Sequence, residues 1–125
     1  MILVAGGAGF IGSHLVDLLV NEGHMVRVAD DFSKGRRENV AHHEGKSNFE
    51  IMQADFTDFD DCKSVIGGVD TLFLLASKIG GIGYFHRYPA EIIDTNTKII
   101  SNLLNAAREA DIQRVLYISS SMVFE

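Results

Sequence analysis

The strongest chemical signal in this sequence is a run of seven residues near the N-terminus, Gly6-Gly7-Ala8-Gly9-Phe10-Ile11-Gly12. Three glycines at this spacing, set where an apolar run ends and an amphipathic segment begins, suit a turn that presents backbone N–H groups to a pyrophosphate. Gly6 permits the tight turn, Gly9 lets phosphate approach the backbone, and Gly12 lets the following helix pack close to the strands. Phe10 and Ile11 open that helix. Roughly twenty residues on, a second apolar run ends in Asp30-Asp31, where a carboxylate accepts from the adenosine ribose hydroxyls of a dinucleotide. A charge there repels the extra phosphate of NADP, so Asp30 argues for NAD as the cofactor. Asp31 is placed to share the role, and Arg36 and Arg37 keep NADP open as the alternative.

Positioning these groups takes alternating strands and helices. Short apolar runs at residues 2–5, 25–29, 49–54, 69–75 and 114–119 read as five buried strands. Between the first two, Ile11, Leu15, Leu18 and Leu19 recur at helical spacing, and Gly23 suits the helix stop. Asp58 is a fitting N-cap for a short helix to Ile66, ended by Gly67-Gly68. Residues 77–88, with Gly80, Gly81 and Gly83, read as a loop. A long helix follows over 89–109, with Pro89 in its first turn and Ile92, Ile93, Ile99, Ile100, Leu103 and Leu104 on its apolar side. At most a short helix is expected over 38–43. Strands separated by helices predict an α/β fold, a doubly wound parallel sheet of five strands, in one domain over residues 1–125.

Composition narrows the partners. Hydrophobic residues make up 46% of the chain, enough for a real core. The net charge of −6 disfavours a nucleic-acid backbone as partner. No apolar run is long enough to span a bilayer, and no signal peptide is evident, so a cytoplasmic protein with no membrane partner is expected. Cys62 is the only cysteine, sits in a polar helix with no flanking base to activate it, and reads as a buried or inert thiol. His14, His24, His42, His43 and His86 show no metal-ligand spacing, and no carboxylate completes a set, so surface histidines and no metal site are expected.

The residues quoted so far, together with Ala54-Asp55-Phe56-Thr57-Asp58, Asn96 in the long helix and the serine run Ser119-Ser120-Ser121, resemble the extended short-chain dehydrogenase/reductases. That is the family of NAD-dependent nucleotide-sugar epimerases and dehydratases, and the likeness runs over essentially the whole chain. The resemblance implies a Rossmann-type fold and NAD as cofactor. It implies that Asp55 and Phe56 meet the adenine, and that Leu75, Ala76 and Ser77 line the ribose and nicotinamide side. Ser33, beside the acidic pair, joins the cofactor set, and Asn96 supports the active-site network. Ser120 matches the catalytic serine or threonine, with Ser119 and Ser121 as adjacent alternatives. The glycine loop from Ala76 to Gly83, followed by Tyr88-Pro89-Ala90, is similar to the branch acting on GDP-sugars, which favours a GDP-sugar as substrate.

The sequence also departs from that pattern. The family's proton-transfer pair, Tyr-x-x-x-Lys, does not occur: four residues beyond Tyr84, Tyr88 and Tyr117 stand Tyr88, Ile92 and Ser121. The last strand or strands and the C-terminal substrate domain are expected to be lacking. The chain therefore reads as the cofactor-binding portion of an enzyme that transfers hydride through a keto-sugar intermediate, inactive alone. The alternatives are a non-catalytic NAD-binding or partner-docking module, or a protein completed by a second polypeptide. Self-association, or pairing with a missing C-terminal part, is expected through the fifth strand.

Overall fold

A computed structural model describes residues 1–119, apart from the side chain of Ile82. Its centre is a five-stranded, wholly parallel sheet in the order β3-β2-β1-β4-β5. The strands are β1 (Ile2–Ala5), β2 (Val26–Asp30), β3 (Phe49–Gln53), β4 (Thr71–Leu74) and β5 (Arg114–Tyr117). The helices are α1 (Phe10–Asn21), α2 (Phe59–Ile66), α3 (Ile82–Arg87) and α4 (Pro89–Glu109). Strand order reverses between β1 and β4. In doubly wound sheets that reversal opens a crevice beyond the C-terminal ends of the strands.

Alternation along the strands sends side chains to two faces. Leu3, Ala5, Leu72 and Leu74 pack with α2 and α4, against Val65, Ile99, Leu103 and Ala106. Val4, Val26 and Val28 turn the other way, onto Val16, Leu19 and Val20 of α1 and onto Val40. The central strands β1, β2 and β4 are thus covered on both sides, as near-continuous apolar strands require.

Helix ends follow local chemistry. Gly23, at φ +85°, closes α1: the His24 N–H donates to Leu19 O and the Gly23 N–H to Val20 O, a Schellman pair. The Asp58 carboxylate accepts from the Asp60 N–H at the start of α2.

Several expectations need correction. The α1 stripe is rotated: Gly12, Ser13, Val16, Leu19 and Val20 are buried, while Ile11 and Leu18 are 72% and 55% exposed. The helix lies on the sheet through its glycine face, which turns Phe10 and Ile11 outward. On α4, Ile93 and Leu104 are exposed, and Ala106 and Ala107 complete the inner face instead. The segment expected as loop over 77–88 contains α3, whose Tyr84 ring packs 5.0 Å from Tyr88 and whose hydroxyl donates to Glu91 of α4. Tertiary contact there outweighs the glycines. Over 38–43 the chain forms two 3-10 turns, Arg37–Asn39 and Ala41–His43. Among the described residues β5 is an edge strand, with its side chains exposed.

Candidate cofactor site

The glycine turn links β1 to α1. Gly6 takes φ +82°, and a Cβ there would stand 2.7 Å from the backbone nitrogen of Ala76. At Gly12 a Cβ would stand 2.3 Å from Gly6 O, so only glycine lets α1 lie this close to the turn. Gly9 differs. Its φ of −73° suits any residue, and a Cβ there meets only Gly6 O, at 3.3 Å. The first intrahelical bond runs from the Ser13 N–H to Gly9 O. The N–H groups of Phe10, Ile11 and Gly12 precede it and point out of the helix end. No acidic residue lies in that first turn, so the positive end of the helix dipole is uncompensated there. A cradle of donors with a space that a Cβ would narrow fits a pyrophosphate.

Asp30 ends β2 beside this turn and is buried. Its Oδ2 accepts from the Ala8 N–H of the turn and its Oδ1 from the Phe32 N–H. Gly35 backs the carboxylate so closely that a Cβ there would stand 2.7 Å from Oδ1. Burial pushes the Asp30 carboxyl above its ordinary range; the two N–H donors oppose that but do not cancel it. Asp31 is exposed and turned back locally, its Oδ1 accepting from the Ser33 N–H and hydroxyl. The carbonyl of Ala8 accepts from the Arg36 N–H and the Asn39 amide, so the β2–β3 connection holds the turn from behind.

Two asparagines of α4 hold the other loops. Asn96 makes a two-way pair with the Lys78 backbone: Oδ1 accepts from its N–H at 2.7 Å, and Nδ2 donates to its carbonyl at 2.9 Å. Asn102 donates to the carbonyls of Phe56 and Thr57. Lys78 and Tyr84 both donate to Glu91, closing the loop after β4 onto α4.

These elements enclose a cleft of about 1650 Å³ at the strand-order reversal. Gly6, Gly9, Phe10, Ile11, Gly12, Asp30, Asp31, Ser33, Asp55, Phe56, Leu75, Ala76, Ser77 and Asn96 all line it. Phe56 does so from within the core, where it is buried; Asp55 is exposed at the rim, its Oδ1 accepting from the Thr57 N–H and hydroxyl. Ser119 lines the cleft, whereas Ser120 and Ser121 lie outside the described residues. The sequence reading missed Lys34, Gly35, Tyr84 and Thr95, which also line the cleft. Neither Arg36 nor Arg37 does, and Arg37 is paired with Glu44.

The cysteine and histidines stand apart. Cys62 is fully buried, its thiol pushed up to about 12 by burial and by Asp61, Asp58 and Asp55. His43 corrects the expectation of surface histidines: it is 1% exposed and, with His42, contacts Asp17. The carboxylate lies 25 residues away in sequence, on another element, so spacing could not reveal it.

The model of the NAD dependent epimerase/dehydratase family matches residues 2–125. The chain belongs to that family. NAD is the family's cofactor. UDP-glucuronic acid decarboxylase 1 of Danio rerio is 38% identical over 123 residues, which cover 98% of this chain and 28% of that protein. GDP-mannose 3,5-epimerase 1 of Oryza sativa subsp. japonica is 36% identical over 125 residues, covering 98% and 31%. A crystal structure of a dTDP-glucose 4,6-dehydratase double mutant from Streptomyces venezuelae, with NAD and DAU bound, superposes with a TM-score of 0.89 at 27% identity, over 99% of this chain and 40% of that one. The chain thus spans less than a third of the length of both curated relatives. Among the described residues no helix is long and apolar enough to cross a membrane.

Proposed function

We propose that this chain is the NAD-binding portion of a nucleotide-sugar epimerase or dehydratase. The observation that carries this reading is the cleft itself. The glycine turn, the buried Asp30, the Asp55 rim and the segment from Leu75 to Ser77 converge on one crevice at the strand-order reversal. The N–H groups at the start of α1 hold the pyrophosphate. The free lone pairs of the Asp30 carboxylate accept from the adenosine ribose, and Asp55 accepts from the adenine amino group. Leu75, Ala76 and Ser77 wall the nicotinamide ribose side, and Asn96 fixes that wall through Lys78.

Bound NAD would supply a hydride acceptor for a sugar carbon, and the hydroxyl proton of that carbon would leave to a base as the keto-sugar forms. The family likeness gives Ser120 the role of hydrogen-bonding the reacting sugar oxygen. No Tyr-x-x-x-Lys pair occurs in these 125 residues, so proton exchange and turnover require groups outside them. The glycine loop from Ala76 to Gly83 favours a GDP-sugar. A cytoplasmic location and a partner segment packed along the exposed β5 belong to the same reading.

Calorimetric titration tests the cofactor assignment: NAD binds one per chain, and NADP binds about tenfold more weakly or worse, a difference of about 1.4 kcal/mol. NADP binding as tight as NAD overturns the role of Asp30 and turns attention to Lys34 in the cleft. Binding of GDP-sugars no tighter than UDP-sugars by the full-length protein removes the substrate preference.

A further inference from the structure

On the α1 face of the sheet, away from the cofactor cleft, Asp17, His42 and His43 bring three ligand atoms within 4.8 Å of one another. Asp17 projects from α1, and the two histidines from the 3-10 turn Ala41–His43. Both imidazoles aim Nε2 at a single carboxylate oxygen: Asp17 Oδ1 lies 2.8 Å from His42 and 2.6 Å from His43. The His43 ring is buried and held between the rings of His42 and Phe49, at 4.0 and 5.5 Å. Asp17 and His42 are half-exposed, so an ion has a path from solvent.

We propose that Asp17, His42 and His43 form a binding site for a divalent transition-metal ion of the zinc class. Two imidazole nitrogens and one carboxylate oxygen are a borderline donor set that zinc takes readily, with water in the fourth position. Tetrahedral bonds of roughly 2.0–2.1 Å separate ligand atoms by about 3.3 Å. Asp17 and His42 therefore have to withdraw by about half an ångström, which their exposure permits. The site is independent of the NAD assignment, since none of the three residues lines the cleft.

One neighbour opposes the ion. The Lys46 ammonium donates to His43 Nδ1 at 2.8 Å, which places the ring proton on Nε2, facing Asp17. A metal on Nε2 moves that proton to Nδ1, and the ammonium must then turn away into solvent. Lys46 therefore competes with the ion, and its removal strengthens binding. The bound ion ties the β2–β3 connection to α1, close behind the residues that hold Ala8.

Titration of the metal-free purified protein with Zn²⁺ by calorimetry, and with Co²⁺ by visible absorption, tests the site. One ion binds per chain, Co²⁺ gives a tetrahedral spectrum, and Zn²⁺ raises the thermal midpoint. Asp17→Asn and His42→Ala each weaken binding by about tenfold or more, at least the loss seen on removing an outer-shell partner. Lys46→Met tightens it, and His24→Ala, on the exposed histidine beside Glu22, leaves it unchanged. Folding of each variant is checked by circular dichroism. No saturable binding, or binding indifferent to Asp17→Asn and His42→Ala, leaves a hydrogen-bonded clamp and overturns the proposal. Loss in Asp17→Asn without gain in Lys46→Met removes His43 from the site and overturns the three-ligand arrangement.

Discussion

Gly9 and Gly12 sit three residues apart and do different work. A Cβ at Gly12 strikes the Gly6 carbonyl, so the backbone must move; a Cβ at Gly9 meets that carbonyl only at a tight contact and otherwise borders the cleft. Gly12→Ala should therefore destabilise the fold by about 1–3 kcal/mol or more, as overpacking does. Gly9→Val should keep the fold and lower NAD affinity by about a hundredfold, or 2.7 kcal/mol. Chemical denaturation and calorimetry on both variants separate the two effects. Asp30 makes a pH prediction. Burial raises its carboxyl in the folded protein above the unfolded value of about 3.9. The fold thus favours the protonated form: that contribution to stability is complete below about 3.9 and lost as pH rises through the raised value. At neutral pH the buried charge is a standing destabilisation. Its proposed role is that of an acceptor for ribose hydroxyls. NAD affinity should then fall on acidification from a pH above 3.9, and Asp30→Asn should bind less tightly with a flatter acid limb. An acid limb unchanged in Asp30→Asn would assign it to another group. Gly6 and Gly12 were legible because close backbone contacts fix the residue type, and Asp30 because it ends a strand at the distance from the turn where a ribose acceptor belongs. The Asp17–His42–His43 group was not, because only the packing of α1 against the β2–β3 connection brings it together.

At the scale of elements, strands and helix limits read well where apolar runs and caps agree. Pro89 to Glu109 and the end of α2 at Gly67-Gly68 are examples. Helix faces read less well. Ile11 and Leu18 look like core residues by periodicity, yet α1 rests on Gly12 and Val16, because close approach to the glycine turn decides the rotation. α3 was hidden by Gly81 and Gly83, since the contacts that hold it, through Tyr84 and Glu91, come from the next helix. The inner polar residues of α4 were only half legible. Asn96 entered through family likeness alone, and Asn102 not at all, although both fasten loops onto the helix. Asn96→Ala removes two hydrogen bonds of ~0.5–1.5 kcal/mol each, so stability should drop by about 1–3 kcal/mol. Hydrogen exchange should show residues 77–81 opening more readily while the sheet stays protected. Equal protection in the variant would mean that Lys78, Tyr84 and Glu91 hold the loop without it.

For the whole molecule, the sheet order puts every proposed cofactor contact at one end of the strands. Gly23, His24, Asp70 and Arg114 mark the opposite end, around a smaller cavity of about 410 Å³. Cofactor binding should therefore be confined to one end of the sheet, and amide-resolved NMR during an NAD titration measures this. The response should be saturable, one NAD per chain, with the largest shifts at residues 6–12, 30–35, 55–57 and 75–78, and little change at 23–25 and 70–71. Saturable shifts centred on the opposite end, or an unperturbed glycine turn at saturating NAD, would contradict it.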